Sequence, residues 1–332
     1  MLQRVIGGHP LYSSRSDRTM MSFAAFLRST RLTAIGAVAL ASAGAANATV
    51  ATDYNVFIFN NFSETNSEVN GAAAAGGNVT FTSSSVGVSL PSGYGAASLV
   101  AGNNLSYTNG QVFNGDVRVG GSHTTSGFNI LNGTLSTGVS PVNFGTEAIR
   151  LGDISTALAS MTANGNVGNP WSGALSFTGA NAGVNVFNIT TAQLSASNQF
   201  LVNIPTGSVA LFNVAGGSAS VNWSSFNLGG SNASDLLFNF ANAGSLTING
   251  SWSGSILAPL ASVTANYGAF NGQLFASNLT STTEFYNVKF KGDLLDPSSP
   301  GVPEPATWAL LITGFGLAGV AIRRRARISV AA

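Results

Sequence analysis

The chain of 332 residues is 45% hydrophobic and only 8% charged, with 40 glycines and no cysteine. Lacking cysteine, it can form neither disulfides nor thiolate metal sites. Nine of its 13 basic residues lie in residues 1–48 and 302–332. The stretch between holds only Arg118, Arg150, Lys289 and Lys291 against ten acidic residues, a net charge near −6. The clustered cations that a nucleic-acid partner needs are therefore missing.

At the start, Arg28 and Arg31 precede an apolar run from Leu32 to Ala43, and Ala46-Asn47-Ala48 is an A-x-A cleavage pattern. This predicts a signal peptide over residues 1–48, cut after Ala48. Its apolar run is too short to span a membrane. Residues 1–19 fit poorly before it. Met20-Met21 is the more natural start, with a long basic leader as the rival reading.

From Ala51 to Phe62 the chain reads as a strand with mixed faces. Short β-type runs follow, cut by Gly, Asn and Ser. A local pattern recurs at Ala75-Gly76-Gly77-Asn78, at Ala101-Gly102-Asn103-Asn104 and at Ala215-Gly216-Gly217-Ser218. Small turn residues recurring after short strands predict stacked coils. A β-sandwich would give a similar pattern. Between Asn143 and Met161 the period changes. Phe144, Ala148, Leu151, Ile154, Leu158 and Met161 fall three and four apart, which is one face of a helix. That stripe must lie on the β stack. The alternating β pattern then resumes at Val184 to Ile189, Leu201 to Ile204 and Leu246 to Asn249. Asparagines at matching points of successive coils would stack into ladders. A last strand is predicted from Glu284 to Phe290.

The tail reads Val302-Pro303-Glu304-Pro305, then an apolar run from Ala306 to Ile322, then Arg323-Arg324-Arg325. This order resembles the PEP-CTERM sorting signal. The resemblance implies recognition by an exosortase, cleavage near the Pro-Glu-Pro and a link to extracellular polysaccharide. Until processing, the apolar run would anchor the chain as a marginal membrane helix, with its arginines on the cytoplasmic side and the body outside.

The body also resembles a known family. Tyr54-Asn55-Val56-Phe57, the run from Gly71 to Gly77, the helix, Val186-Phe187-Asn188-Ile189, Gly254 to Pro259 and Asn271-Gly272-Gln273 are similar to the choice-of-anchor A family. That family is itself similar to ice-binding-like adhesive domains. The resemblance covers about residues 54–291. It implies a β-helix with an accompanying helix and carries no catalytic residues. Leu260 departs from it, standing where the family usually has Asn.

Few residues offer chemistry. His123 reads as an exposed loop histidine without a Gly-x-Ser-x-Gly elbow. No cluster has metal-ligand spacing. Asp116, Glu147, Asp153 and Asp235 are scattered. Glu147 and Asp153 are expected on the solvated face of the helix, and Asp235 in a turn. Lys289 and Lys291 could form an isopeptide crosslink with an Asn. Trp171, Trp223 and Trp252 stand in polar contexts and are candidate glycan contacts, or else core plugs. The Thr80-Phe81-Thr82 and Thr124-Thr125 fragments do not recur in register along the sequence.

The reading is a mainly β, single-domain β-helix (solenoid) with one packed α-helix, an N-terminal signal peptide and a C-terminal transmembrane sorting helix. Its parts are the leader (1–48), the domain (49–295), a linker (296–302) and the sorting and anchor segment (303–327). The expected role is that of an exported adhesin-like or structural protein at the cell surface or in the extracellular matrix, associated with exopolysaccharide. No enzymatic activity, cofactor or nucleic acid is expected. An ice- or glycan-binding module is the alternative, and a polysaccharide-active enzyme is a third reading.

Overall fold

The computed structural model describes residues 50–138 and 140–296. The expected leader with Ala46 and Ala48, and the tail with Pro303-Glu304-Pro305 and its arginines, lie outside the described residues. The fold is mainly β with two helices. A large sheet of almost wholly parallel strands accompanies a four-stranded sheet with one antiparallel pair.

The strands align in rows. One row runs Val184–Thr190, Val209–Ala215, Leu236–Asn239, Ser255–Asn266, Leu274–Ser281, Val56–Ile58, Ala73–Ala75, Ala97–Ala101, Asp116–Val119 and Leu135–Thr137, each parallel to the next. A second row runs Ser218–Asn222, Ser245–Asn249, Ser255–Asn266, Leu274–Ser281, Phe62–Thr65, Val79–Val86, Leu105–Asn114 and His123–Asn132. Spatial order thus departs from chain order. The first strands lie between the second set and the last. From that central place the chain builds outward to one end, crosses back through a helix, and returns from the opposite end.

The recurring pattern marks equivalent turns. Ala75 pairs with Ala101 and Val79 with Leu105. Between these strands the backbone closes tightly: a Cβ on Gly102 would collide with the Gly76 carbonyl. Only glycine allows that approach.

Helix α1 (Phe144–Ala159) forms where the period predicted it. The Asn143 side chain caps it, accepting from Thr146 N–H at 3.1 Å, which satisfies an otherwise orphaned donor. Leu151 and Leu158 are buried against the first row, and the Phe144 ring stacks on Phe57 at 5.1 Å. With this cover, Val56–Ile58 is buried on both faces. The expected mixed-face strand is therefore short, and Ala51–Asp53 before it is a 3-10 turn. A second helix, α2 (Thr191–Ser195), was not predicted. Thr190 and Gln193 form a reciprocal capping box there. The last strand is also shorter than expected, Glu284–Tyr286.

Candidate functional site

The second row turns one side inward and the other toward solvent. Inward are Ala219, Leu246, Val263, Leu279, Phe62, Val79 and Leu105, all buried. Their neighbours outward are Ser220, Thr247, Thr264, Thr280, Ser63, Thr80, Ser106 and Thr124, in register on eight adjacent strands and each at least partly exposed. The Thr fragments that seemed unconnected in sequence therefore join one hydroxyl column. At the usual spacing of parallel strands the column is about 34 Å long.

Amide and hydroxyl columns flank it, about 7 Å away along the strands. On one side Asn278, Asn61, Asn78 and Asn104 form a ladder. Each Oδ1 accepts the next strand's backbone N–H, at 3.2, 3.0, 3.3 and 2.9 Å, ending on Ser122. On the other, Asn249 Nδ2 donates to Asn222 Oδ1 at 2.7 Å and Asn266 Nδ2 to Asn249 Oδ1 at 2.8 Å. The expected asparagine ladders thus form. They tie neighbouring strands together and leave spare donors and acceptors facing outward.

Beyond this second ladder the backbone turns through left-handed conformations. Trp223 (φ 51°), Gly250 (103°) and Tyr267 (60°) occupy successive strands there, and Asn66, Ser83, Asn109 and Gly127 hold the equivalent place farther along. Glycine and asparagine accept such angles, whereas a bulky aromatic is an outlier. Trp223 and Tyr267 are nevertheless 69% and 64% exposed, so no burial offsets the strain.

The other two tryptophans separate. Trp171 is half-exposed and its Nε1 donates to Gln199 Oε1 at 3.3 Å. Trp252 is fully buried in the core, packed on Phe238 at 4.7 Å, with Nε1 donating to the Gly254 carbonyl at 3.0 Å. The expectation of a glycan contact at Trp252 is corrected: no sugar can reach it. Its Gly-Ser context reflected tight turns around a core ring. Leu260, at the position of the family departure, is exposed.

The scattered carboxylates do not converge. Asp116 pairs with Arg118 at 2.6 Å, and the Thr134 backbone N–H donates to it at 2.9 Å, which lowers its pKa. Glu147 is buried rather than solvated. It pairs with Arg150 at 2.7 Å and accepts the Ala51 N–H at 2.8 Å, while Arg150 donates to the Leu295 carbonyl at 2.9 Å. Asp235 is likewise buried, accepts the Asn232 N–H at 2.8 Å and pairs with Lys291. Asp153 is exposed, as expected on the solvated side of α1. His123 lies on a strand, not a loop.

A different acidic group escaped the sequence reading. Glu64, Glu68 and Glu284 meet where the first and last strands adjoin. Burial, then the Glu68 charge, pushes the Glu64 pKa well above the usual range. Burial, then the Glu284 charge, raises that of Glu68. Glu64 is fully enclosed, with neither carboxyl oxygen hydrogen-bonded, so it cannot touch a substrate. Among the described residues no three His, Cys, Asp or Glu side chains are arranged to hold a metal ion.

A family described as "Putative Ice-binding-like adhesive domain" matches residues 47–287. The chain belongs to this family. The PEP-CTERM protein-sorting motif matches residues 301–325 of this adhesive-domain protein, and that motif marks an exported protein with a C-terminal sorting signal. Similar solved structures include an ice-binding protein from an Antarctic biological consortium, at 15% identity over 71% of this chain and 87% of that one, TM-score 0.37. Another is the ice-binding protein of the Antarctic ascomycete Antarctomyces psychrotrophicus, at 15% identity over 71% and 96%, TM-score 0.36. A third comes from an Antarctic Flavobacteriaceae bacterium, at 12% identity over 71% and 77%, TM-score 0.29. No curated protein matches. Among the described residues no helix is long and apolar enough to cross a membrane.

Proposed function

We propose that this protein is an exported, exosortase-sorted adhesive component of the cell surface or extracellular matrix. Its second-row face would bind extended, neutral, hydroxyl-rich polymers such as exopolysaccharide. The observation that carries the reading is the in-register hydroxyl column on eight strands, flanked by amide and hydroxyl columns. The three outward columns carry no charged side chain from Ser218 to Ser126. Many weak hydrogen bonds presented on a stiff lattice add through multivalency, and a surface without charge avoids the desolvation cost that ions would carry.

The finer organisation belongs to the same reading. The rows enclose one apolar cluster, which supports a single β-helix with α1 on its outside. The domain would span 49–295, after a leader cut between Ala48 and Thr49. A linker of 296–302 would lead to the sorting segment of 303–327. There Val302-Pro303-Glu304-Pro305 would be read by the exosortase, and Arg323, Arg324 and Arg325 would hold the membrane helix on the cytoplasmic side before processing. Arg150, bonded to both Glu147 and the Leu295 carbonyl, supports a body that closes just before the tail. Catalysis is no part of this reading. Trp171 and Trp223, both exposed, are its candidate aromatic glycan contacts.

Adsorption of the purified protein to insoluble neutral glucans tests the proposal. Thr80→Lys and Thr264→Lys place charge and bulk in the central column and are expected to reduce adsorption about tenfold, a loss of some 1.4 kcal/mol. Adsorption equal to that of the parent in both variants would defeat it. Ice binding is the second reading, favoured by the Ser/Thr composition of the same column. Ice shaping by the parent that is lost in Thr264→Lys, without glucan adsorption, would select it.

A further inference from the structure

Trp223 and Tyr267 are the anomalies of the turn column. Five equivalent turns use Gly, Asn or Ser at this left-handed position; two carry large rings that gain no burial. The rings also sit in a defined arrangement. The strand between them carries Gly250, where a Cβ would lie 3.1 Å from Trp223 Cε3. Glycine there lets the indole lie across the intervening strand, and Gly250 is itself buried; the Trp223 and Tyr267 backbones stand two strand spacings, roughly 10 Å, apart. Immediately beside this step runs the Asn222, Asn249 and Asn266 ladder. From residue 154 to residue 283 the chain has one charged residue, Asp235, which is buried against Lys291, and one half-buried carboxylate, Glu284, lies on the strand beside Tyr267.

We propose that Trp223, Gly250 and Tyr267, with the adjoining amide ladder, form a binding track for a neutral glycan chain lying across the strands. Two sugar rings stack on the aromatic side chains, which offer large contact area at small entropy loss. Gly250 seats the indole beneath the chain, and sugar hydroxyls bond to the amide donors and acceptors of the ladder. The lack of cations argues against a nucleic-acid strand, which also stacks on aromatics but needs a basic groove. With no cation on these strands and the Glu284 carboxylate beside the Tyr267 end, the track favours a neutral sugar over an anionic one. This site deepens the polysaccharide reading above and rests on it.

The test is calorimetric titration of the purified protein with cellohexaose, laminarihexaose, xylohexaose and isomaltohexaose, comparing the parent with Trp223→Gly, Tyr267→Gly and, as a control on the exposed side of α1, Asp153→Asn. Glycine suits φ of 51° and 60°, so both glycine variants should melt at the parent's temperature or above it. At least one hexasaccharide should bind, with affinity falling about tenfold or more in each glycine variant and unchanged in Asp153→Asn. Binding that survives both glycine substitutions overturns the site. So does the absence of binding to every hexasaccharide, or a lowered melting temperature in both glycine variants, which would make the rings structural. Failure here and failure of the broader reading are separable. Hexasaccharide binding retained in the glycine variants, with glucan adsorption lost in Thr80→Lys, removes only this track. Glucan adsorption retained in Thr80→Lys and Thr264→Lys removes only the hydroxyl column.

Discussion

Glu64 is enclosed on the inner side of the first strand set, in register with Phe81 on one neighbour and Ser281 on the other. Burial without a hydrogen-bond partner, and then the Glu68 charge, raise its pKa in the folded protein well above that of the unfolded chain. Such a group contributes its stability fully below the unfolded pKa and loses it as pH rises through the folded one. Unfolding free energy should therefore fall as pH rises from the ordinary carboxylate range toward the raised folded value, a slope that urea titrations across a pH series would read. Glu64→Met should flatten the slope and raise stability at high pH by about 1–3 kcal/mol, the cost of an unsatisfied buried polar group. An unchanged slope would show that Glu64 is not its source. Nothing in the local sequence announced this residue. Phe62-Ser63-Glu64-Thr65 looks like an ordinary strand, and Glu64 becomes enclosed only because residues more than 200 positions away close over it. Trp252 misled for a related reason, since polar neighbours in tight turns say nothing about which way the ring points.

At the scale of elements, α1 is fastened by polar contacts as much as by its apolar stripe. Asn239 Nδ2 donates to the Ser155 carbonyl at 2.9 Å and to Asn213 Oδ1 at 3.0 Å, and its Oδ1 accepts from Ser155 Oγ at 2.5 Å. Asn213 Nδ2 reaches the Leu158 carbonyl at 2.7 Å. All lie buried, where a broken network strands several groups at once. Asn239→Ala should cost about 2–4 kcal/mol in chemical denaturation, and Leu158→Ala a similar cost of about 2–5 kcal/mol through the cavity it leaves. A shift below about 0.5 kcal/mol for Asn239→Ala would mean that the helix docks without this network. The helix itself was legible because its three-and-four spacing runs unbroken. So were the ladders, as a kind of feature, from asparagines at strand ends. The hydroxyl column was not. Its members mix Ser with Thr and lie 16, 17, 18, 26 or 27 residues apart along successive pairs, because turns of unequal length separate them. One link, Ser63 with Thr280, joins opposite ends of the chain. Likewise α2 is too short for a period to show.

At the scale of the molecule, the order of strands in space matters more than their number. The Val56–Ile58 and Phe62–Thr65 strands pair on one side with the strands that follow them and on the other with Leu274–Ser281. Contacts in most stacked folds are between sequence neighbours, so that such folds tolerate shortening. Here a chain stopped after Gly272 would leave the opening strands with one open flank and separate the two halves of the core. It should show no cooperative melting by circular dichroism. A chain stopped after Asp296 keeps every strand pair of the described residues and should melt within a few degrees of the parent. Equal melting of the two would contradict the central place of the first strands. The arrangement also bears on delivery. A polypeptide that emerges N-terminus first must hold its opening segment waiting, half-matched, until nearly the whole message has been read. The keystone arrives last, directly ahead of the sorting address.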